Sequence, residues 1–354
     1  MTDARAFFTD VVAMAPMAQG GNLPYRRLCR EFGAELTCSE MVVADKLVKG
    51  GERPLMRHHP SEETFGIQLC GKRPETLAEG ARMAVAQGAR FVDLNFGCPI
   101  DLITRRGSGA ALLKKPRKLA QLVATVREAI DVPLSVKIRS GWTEQRINAV
   151  DVAREAEAAG ADAVVVHGRT RAQRYKKSAD WSVIADVAEA VTIPVLGNGD
   201  IMTPWDLERR RRETRVRSFL IARGCLIKPW VFRELLTGEP WRPTVAERWA
   251  VMQRYFEFAR EYFGDDEKGL GRCHRFVIWH LHFWHRWRDY TRADFDAHLP
   301  DSLIQRREDP REIDDAEERL LMSPDEADHE VIFERLVGGD HPGVGVGLER
   351  MISA

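Results

Sequence analysis

The chain has 354 residues, with 53 Lys plus Arg balanced by 53 Asp plus Glu, which excludes binding to a polyanion through bulk charge and leaves only local clusters of charge. Six scattered cysteines without a CxxC pair, no run of about eighteen apolar residues, and a start (MTDARAFFTD) without a basic, apolar leader argue against a disulfide framework, a membrane-spanning helix and secretion; a reduced, cytoplasmic protein is expected. The length fits a barrel of roughly 250 residues with about a hundred left over, so two domains are expected.

In chain order, short β-rich apolar runs stand at 11-VVAMAPMA, 35-ELTCSEM, 65-FGIQLCG, 90-RFVDLNFGCP, 133-PLSVKIRSG, 162-DAVVVHGRT, 193-IPVLGNGD and 218-SFLIARG. Helical patterns fall between them, among them 75-ETLAEGARMAVAQG, 117-RKLAQLVATVREAI, 149-AVDVAREAEAAG and 181-WSVIADVAEAV, with Gly88 and Gly160 placed as stops. Alternation of helices with near-continuously apolar strands predicts an α/β fold with a parallel sheet, and eight units predict closure into a (β/α)8 TIM barrel over residues 1–237. A doubly wound sheet is the alternative. From 238 to 354 the pattern changes to helical segments, led by 245-VAERWAVMQRYFEFAREYFG and 270-LGRCHRFVIWHLHFWHRWRDY, so an all-helical C-terminal domain is expected. After about residue 300 the chain is charged and rich in Pro and Asp. A flexible tail is expected there, and 343-GVGVG sits in no strand-to-helix turn that would make it a nucleotide loop.

Barrels carry their chemistry just past the C-terminal ends of the strands. Those positions here hold Pro16-Met17-Ala18, Ser39-Glu40, Gln68, Asn95 and Cys98, Lys137 and Arg139, His167 and Arg169, Asn198-Gly199-Asp200, and Arg223-Gly224. The seventh and eighth ends, GNGD and ARG, read as a phosphate site made by backbone N–H groups: either glycine alone would favour a mere tight turn, but their pairing with Asn198 and Arg223 favours phosphate. FMN suits such a site. Its phosphate would lie at strands seven and eight, with its ring near Lys137, which can stabilise negative charge, and Gln68, which can hydrogen-bond its pyrimidine-like edge. Cys98 follows a strand in the turn Asn95-Phe96-Gly97-Cys98-Pro99, which presents the thiol at the mouth. A thiol with a reference pKa of about 8.5 is mostly protonated at neutral pH, so it can act as a general acid.

On these residues the chain resembles the tRNA-dihydrouridine synthases from residue 11 to about 290. The resemblance rests on APMA at 15–18, the Gln68 strand end, DLNFGCP at 93–99, KIRSGW at 137–142, HGRTR at 167–171, GNGDI at 197–201 and IARG at 221–224. It implies that Pro16, Met17, Ala18, Gln68, Lys137, His167, Asn198, Gly199, Asp200, Ala222 and Arg223 contact FMN, with Cys98 as proton donor. It also implies that Asn95, Lys137, Arg139 and His167 lie close to the target uracil. Reduction of the uracil C5–C6 bond needs a hydride at C6 and a proton at C5, which flavin and Cys98 would supply from opposite faces of the base. NADPH is the expected transient reductant. Three longer segments, 97–113, 167–181 and 221–235, are closest to the eukaryotic-type branch that acts in the variable loop of tRNA. Where family members more often have Gly-Arg, this chain has Ala222-Arg223. No zinc-finger or other RNA-binding extension is expected, and neither is a stable protein partner; a monomer is.

Within this family the helical domain helps to hold tRNA while the base is turned out into the barrel. The aromatics of segment 270–290 are expected to be mostly core, and Arg272, Arg275, Arg286 and Arg288 mostly RNA-facing. His280, His282 and His285 point in several directions around one helix, so no metal site is expected. Arg105, Arg106, Arg171 and Arg174 follow active-site strands and are the preferred phosphate contacts, ahead of the arginines at 209–212. Loop 100–109 is expected to close over the bound base. A dihydrouridine synthase for rRNA, a reductase of free pyrimidines, and a non-catalytic RNA-binding protein are the competing readings.

Overall fold

The computed structural model describes residues 4–306 and 313–348. Eight strands form the barrel: β1 (Val12–Met14), β2 (Thr37–Cys38), β3 (Phe65–Cys70), β4 (Phe91–Asn95), β5 (Leu134–Arg139), β6 (Ala163–His167), β7 (Val195–Asn198) and β8 (Ser218–Ile221). All barrel pairings are parallel, and the order round the sheet is β1-β8-β7-β6-β5-β4-β3-β2. Between β1 and β2 no ladder is assigned, yet the Met14 N–H donates to Leu36 O at 2.9 Å and the Glu35 N–H to Val12 O at 3.1 Å. Those bonds close the seam, so the fold is the expected (β/α)8 barrel and not a doubly wound sheet.

The strands are apolar along most of their length because both faces are covered. Their inward side chains, including Ala13, Leu36, Ala163, Val165, Leu196 and Leu220, form a buried inner cluster. Phe8 and Phe91 meet edge to face at 5.5 Å within this cluster. Outside, the strands pack against α1 (Leu23–Glu31), α2 (Pro74–Ala86), α3 (Pro116–Arg127), α4 (Ala149–Ala158), α5 (Trp181–Ala190) and α6 (Pro204–Glu213). Gly88 and Gly160 stop α2 and α4 as expected, with φ of 99° and 94° that only glycine adopts cheaply.

After the short helix α7 (Arg223–Ile227), two long helices follow, α8 (Val245–Phe263) and α9 (Glu267–Trp284). Helix α8 lies on α1, and α9 touches α7. One hydrophobic core therefore runs from the barrel's outer shell into the helices. The tail differs from expectation. Residues 316–321 and 326–338 are helices α10 (Ala316–Leu321) and α11 (Glu326–Gly338), and α11 packs on α8 and α9 through Ile332 and Leu336. Segment 343-GVGVG is structural at its start, where Gly343 packs on Trp249 so closely that a Cβ would approach its side chain within 2.8 Å.

Candidate active site at the C-terminal mouth of the barrel

Strand β4 ends at Asn95, and its side chain organises the turn that follows. Asn95 Oδ1 accepts from the Cys98 N–H at 2.8 Å and from the Gly97 N–H at 3.2 Å. Asn95 Nδ2 donates to Gln68 Oε1 at 2.8 Å, and Gln68 Nε2 donates to Asp93 Oδ2 at 2.7 Å. Each partner comes from β3 or β4, whose paired register sets Gln68 beside Asp93. The Cys98 side chain is half-buried, whereas the other five cysteines are buried. Burial pushes its thiol up despite the opposing pull of the Ile100 N–H, Arg139 and Lys137. The site therefore holds a protonated thiol at neutral pH, which is what a general acid requires.

Strand pairing sets Asn95 of β4 beside Lys137 of β5, and Arg139, two residues further along β5, beside His167 of β6. Lys137 Nζ donates to Asn198 Oδ1 at 3.1 Å. Burial and the neighbouring Arg139 bring its ammonium down to about 8, against the pull of Asp93. Arg139 is buried and braces the loops: Nε donates to Gly97 O at 2.8 Å, and Nη1 to Thr170 O and Arg174 O at 3.0 and 2.9 Å. His167 is held well below its usual pKa by burial and by Arg139, Lys137, Arg169 and Arg223. Arg169 Nη1 lies 3.3 Å from His167 Nε2. Arginine only donates, so Nε2 accepts and the neutral ring carries its proton on Nδ1.

At β7 and β8 a pocket opens, lined by His167, Asn198, Gly199, Ala222, Arg223 and Tyr175 among others. Asn198 Nδ2 donates to Leu220 O at 2.6 Å, which ties the two strand ends together. The Asp200 carboxylate is fully engaged by Arg169 at 2.6 Å, Arg223 at 2.7 Å and the Ala179 N–H at 2.7 Å. Any part it takes in holding an anion therefore runs through Arg223. Helix α7 begins at this point with Ala222 as N-cap and no side-chain cap, which leaves the N–H groups of Arg223 and Gly224 without a side-chain partner, while the Cys225 N–H donates to Ala222 O. Open N–H groups beside Arg223, with Lys137 nearby and the nearest carboxylate neutralised, suit a phosphorylated, electron-accepting cofactor such as FMN. Pro16 and Met17 are half-exposed and Ala18 exposed on the loop after β1, which Met17 O pins by accepting from the Gly21 N–H at 2.8 Å.

Gly199 has φ of 134°, and a Cβ there would stand 2.6 Å from the Ala179 Cβ. Gly199→Ala is expected to cost about 1–3 kcal/mol through strain and overlap. An unchanged denaturant midpoint for that variant would show that the turn is less constrained than this.

Among the phosphate candidates, Arg105 and Arg106 are exposed beside the Cys98 turn. Arg171 and Arg174 instead both pair with Asp101, Arg174 at 3.3 Å, which links the loop after β4 to the loop after β6. Tyr175 is a site residue with no counterpart among the sequence candidates. It is 56% exposed, and its ring lies 5.7 Å from both the Arg139 and the Arg223 guanidinium carbons, over the mouth. A lone tyrosine in a basic loop gives no periodic signal by which to find it. Ile100 and Leu102 stand exposed at the same rim. On helix α9 and just after it, Trp284 and Trp287 are core, Arg272 and Arg275 are exposed, and Arg286 donates to Ile304 O at 3.1 Å. Arg209 and Arg210 are paired with Glu213, and Arg212 with Glu208. Among the described residues no group of three His, Cys, Asp or Glu side chains is placed to hold a metal, and no helix is long and apolar enough to cross a membrane.

Comparison with known proteins bears on the fold and the family. Among solved structures, a 2-naphthoyl-CoA reductase in complex with 2-naphthoyl-CoA superposes with a TM-score of 0.52 at 14% identity, covering 65% of this chain and 50% of that one. A 6-hydroxypseudooxynicotine amine oxidase from Pseudomonas geniculata gives 0.51 at 14% identity, covering 73% and 53%. These likenesses show the fold alone. By sequence, a Homo sapiens protein named tRNA-dihydrouridine(47) synthase (NAD(P)(+))-like is 38% identical over 298 residues, 83% of this chain and 45% of its own length. The tRNA-dihydrouridine(47) synthase of Coprinopsis cinerea is 37% identical over 343 residues, 92% of this chain and 50% of its own. The chain thus spans about half the length of these relatives. The sequence model described as dihydrouridine synthase matches residues 13–308, from the first barrel strand into the helices, and the chain belongs to that family.

Proposed function

We propose that this chain is an FMN-dependent tRNA-dihydrouridine synthase, reducing the C5–C6 bond of the uridine at position 47 named for its relatives. The observation that carries this reading is the Cys98 turn: a protonated thiol fixed at the barrel mouth, with Lys137, Arg139 and neutral His167 at the ends of the two following strands. When bound, FMN, kept reduced by NADPH, supplies the hydride to C6. Cys98 Sγ holds the proton destined for C5 and releases it at a site shielded by the Arg139-braced loops. Neutral His167 can donate from Nδ1, and Asn95 and Arg139 stand where the uracil edge would lie. The region to residue 237 is the catalytic unit, and the helices after it hold the RNA. Six free thiols agree with action in the cytoplasm.

A base turned out of folded RNA brings phosphates to the rim, where Arg105, Arg106, Arg171 and Arg174 gather. Replacing Arg171 and Arg174 together by alanine is expected to reduce the log–log salt dependence of tRNA binding by about 0.7–0.9 for each phosphate that is no longer neutralised. A slope equal to that of the wild type would place the RNA elsewhere. The direct test incubates the purified chain with FMN, NADPH and an unmodified tRNA transcript and assays dihydrouridine at position 47. Conversion there supports the proposal. Conversion of free uridine but not tRNA would replace the substrate, and no conversion of either would overturn the activity.

A further inference from the structure

The hydrogen bonds behind the Cys98 turn all run in one direction. The Cys98 and Gly97 N–H groups donate to Asn95 Oδ1, Asn95 Nδ2 donates to Gln68 Oε1, and Gln68 Nε2 donates to Asp93 Oδ2. Asp93 Oδ1 in turn accepts from the Ser135 hydroxyl at 2.6 Å. Backbone N–H groups only donate, and an ionised carboxylate only accepts. The chain therefore ends in pure donors at the turn and a pure acceptor at Asp93. Neither amide between them can flip without setting donor against donor in a buried site, where an unmade bond is expensive.

We propose that Asp93 is a positioning residue for Cys98, its carboxylate fixing the orientation of Gln68 and Asn95 and through them the turn that presents the thiol. Asp93 is buried, so it acts through the two amides. Lose the carboxylate, by protonation or by Asp93→Asn, and position 93 can donate to Gln68. Gln68 then turns its NH2 toward Asn95, Asn95 turns its NH2 toward the backbone N–H groups, and the turn gains a second, looser state. The charged and titratable groups facing Asp93 are Lys137 on β5 and Cys38 on β2; Gln68 and Ser135 complete its surroundings. Burial lifts the Asp93 carboxyl to about 6, while Lys137 sits at about 8 and the Cys38 and Cys98 thiols are pushed up. Its raised carboxyl means that the orienting anion is present above pH 6 and lost as pH falls through it. The significance of this device for catalysis rests on the synthase reading, but the placement of the thiol can be read without cofactor or RNA.

Cys98 is the only cysteine of the six that is not buried, so iodoacetamide labelling, located by peptide mass mapping, reports on it selectively. In the wild-type chain the labelling rate should rise with thiolate content and show an additional break near pH 6. Asp93→Asn should abolish the break and raise the rate at pH 7.5 by about fivefold, the shift expected for loss of one buried hydrogen bond. Asp93→Asn combined with Gln68→Glu moves the pure acceptor to position 68 and the donor to position 93, which restores the direction at Asn95. That pair should return the rate to the wild-type value at an unfolding midpoint no higher than that of Asp93→Asn. A purely structural role predicts that the pair is worse than the single variant. Wild-type labelling in Asp93→Asn with the break retained, or no rescue by the pair, overturns the proposal. Both outcomes stand whether or not the chain reduces tRNA.

Discussion

Cys98→Ala is expected to lower reduction of tRNA by about 10²- to 10⁴-fold, the range a positioned general acid contributes. With FMN bound as proposed, its bleaching by NADPH should proceed at close to the wild-type rate. The reasoning is local. Cys98 touches the mouth only through its side chain, while the turn is held by its backbone N–H on Asn95 and by its carbonyl, which accepts from the Ala110 N–H at 3.1 Å. Alanine keeps both bonds and removes only the proton carrier. Rapid-mixing measurement of the two half-reactions separates the steps: equal losses in both would show a collapsed site, and no loss with tRNA would remove Cys98 from the chemistry. Cys98→Ser keeps a hydroxyl proton, but one far less acidic than the thiol's, and is expected to recover little of the rate.

The second large effect is on stability. Asp200→Ala leaves Arg169, itself fully buried, and Arg223 without their carboxylate. Removing one partner of a buried pair costs about 3–5 kcal/mol, because the remaining charge is stranded in a site that water does not reach. Asp200 also accepts from the Ala179 N–H at 2.7 Å and sits at φ of 54°, so the loop after β6 and the end of β7 should loosen together. Asp200→Asn keeps the shape and one acceptor but not the charge, and should fall between. Urea unfolding with an unchanged m-value reads the loss directly. A change in midpoint worth less than about 1 kcal/mol would mean that the two arginines find other partners.

The barrel is legible in the sequence because its strands are continuous apolar runs that end in polar residues. The sequence FVDLNFGCP marks strand β4, its end and its turn within nine letters, and GNGD does the same for β7. Strand β2 is shorter than its apolar run suggests, since after Cys38 the chain leaves the sheet and pairs again only at Val42–Val43. The helices of the tail are not legible because its apolar residues are sparse: Ile332 and Leu336 are buried in the core that helices α8 and α9, far away in sequence, help to form. In the site, strand-end position alone locates Asn95, Cys98, Lys137, Arg139 and His167. What it cannot show is which groups neutralise one another. Asp101 comes from the loop after β4, and Arg171 and Arg174 from the loop after β6; their pairing exists only once the barrel brings the two loops together. Tyr175 is invisible for the same reason, as is the use of Asp200 as a hub between Arg169 and Arg223.

The central claim is that this chain reduces one uridine of tRNA with Cys98 as the acid. It is tested most directly by mapping dihydrouridine across tRNA from cells with and without the gene, and from deletion cells carrying either the wild-type or the Cys98→Ala chain. Loss of the modification at position 47, restored by the wild type and not by Cys98→Ala, is the predicted result. An unchanged tRNA profile after deletion, or full restoration by Cys98→Ala, would contradict it.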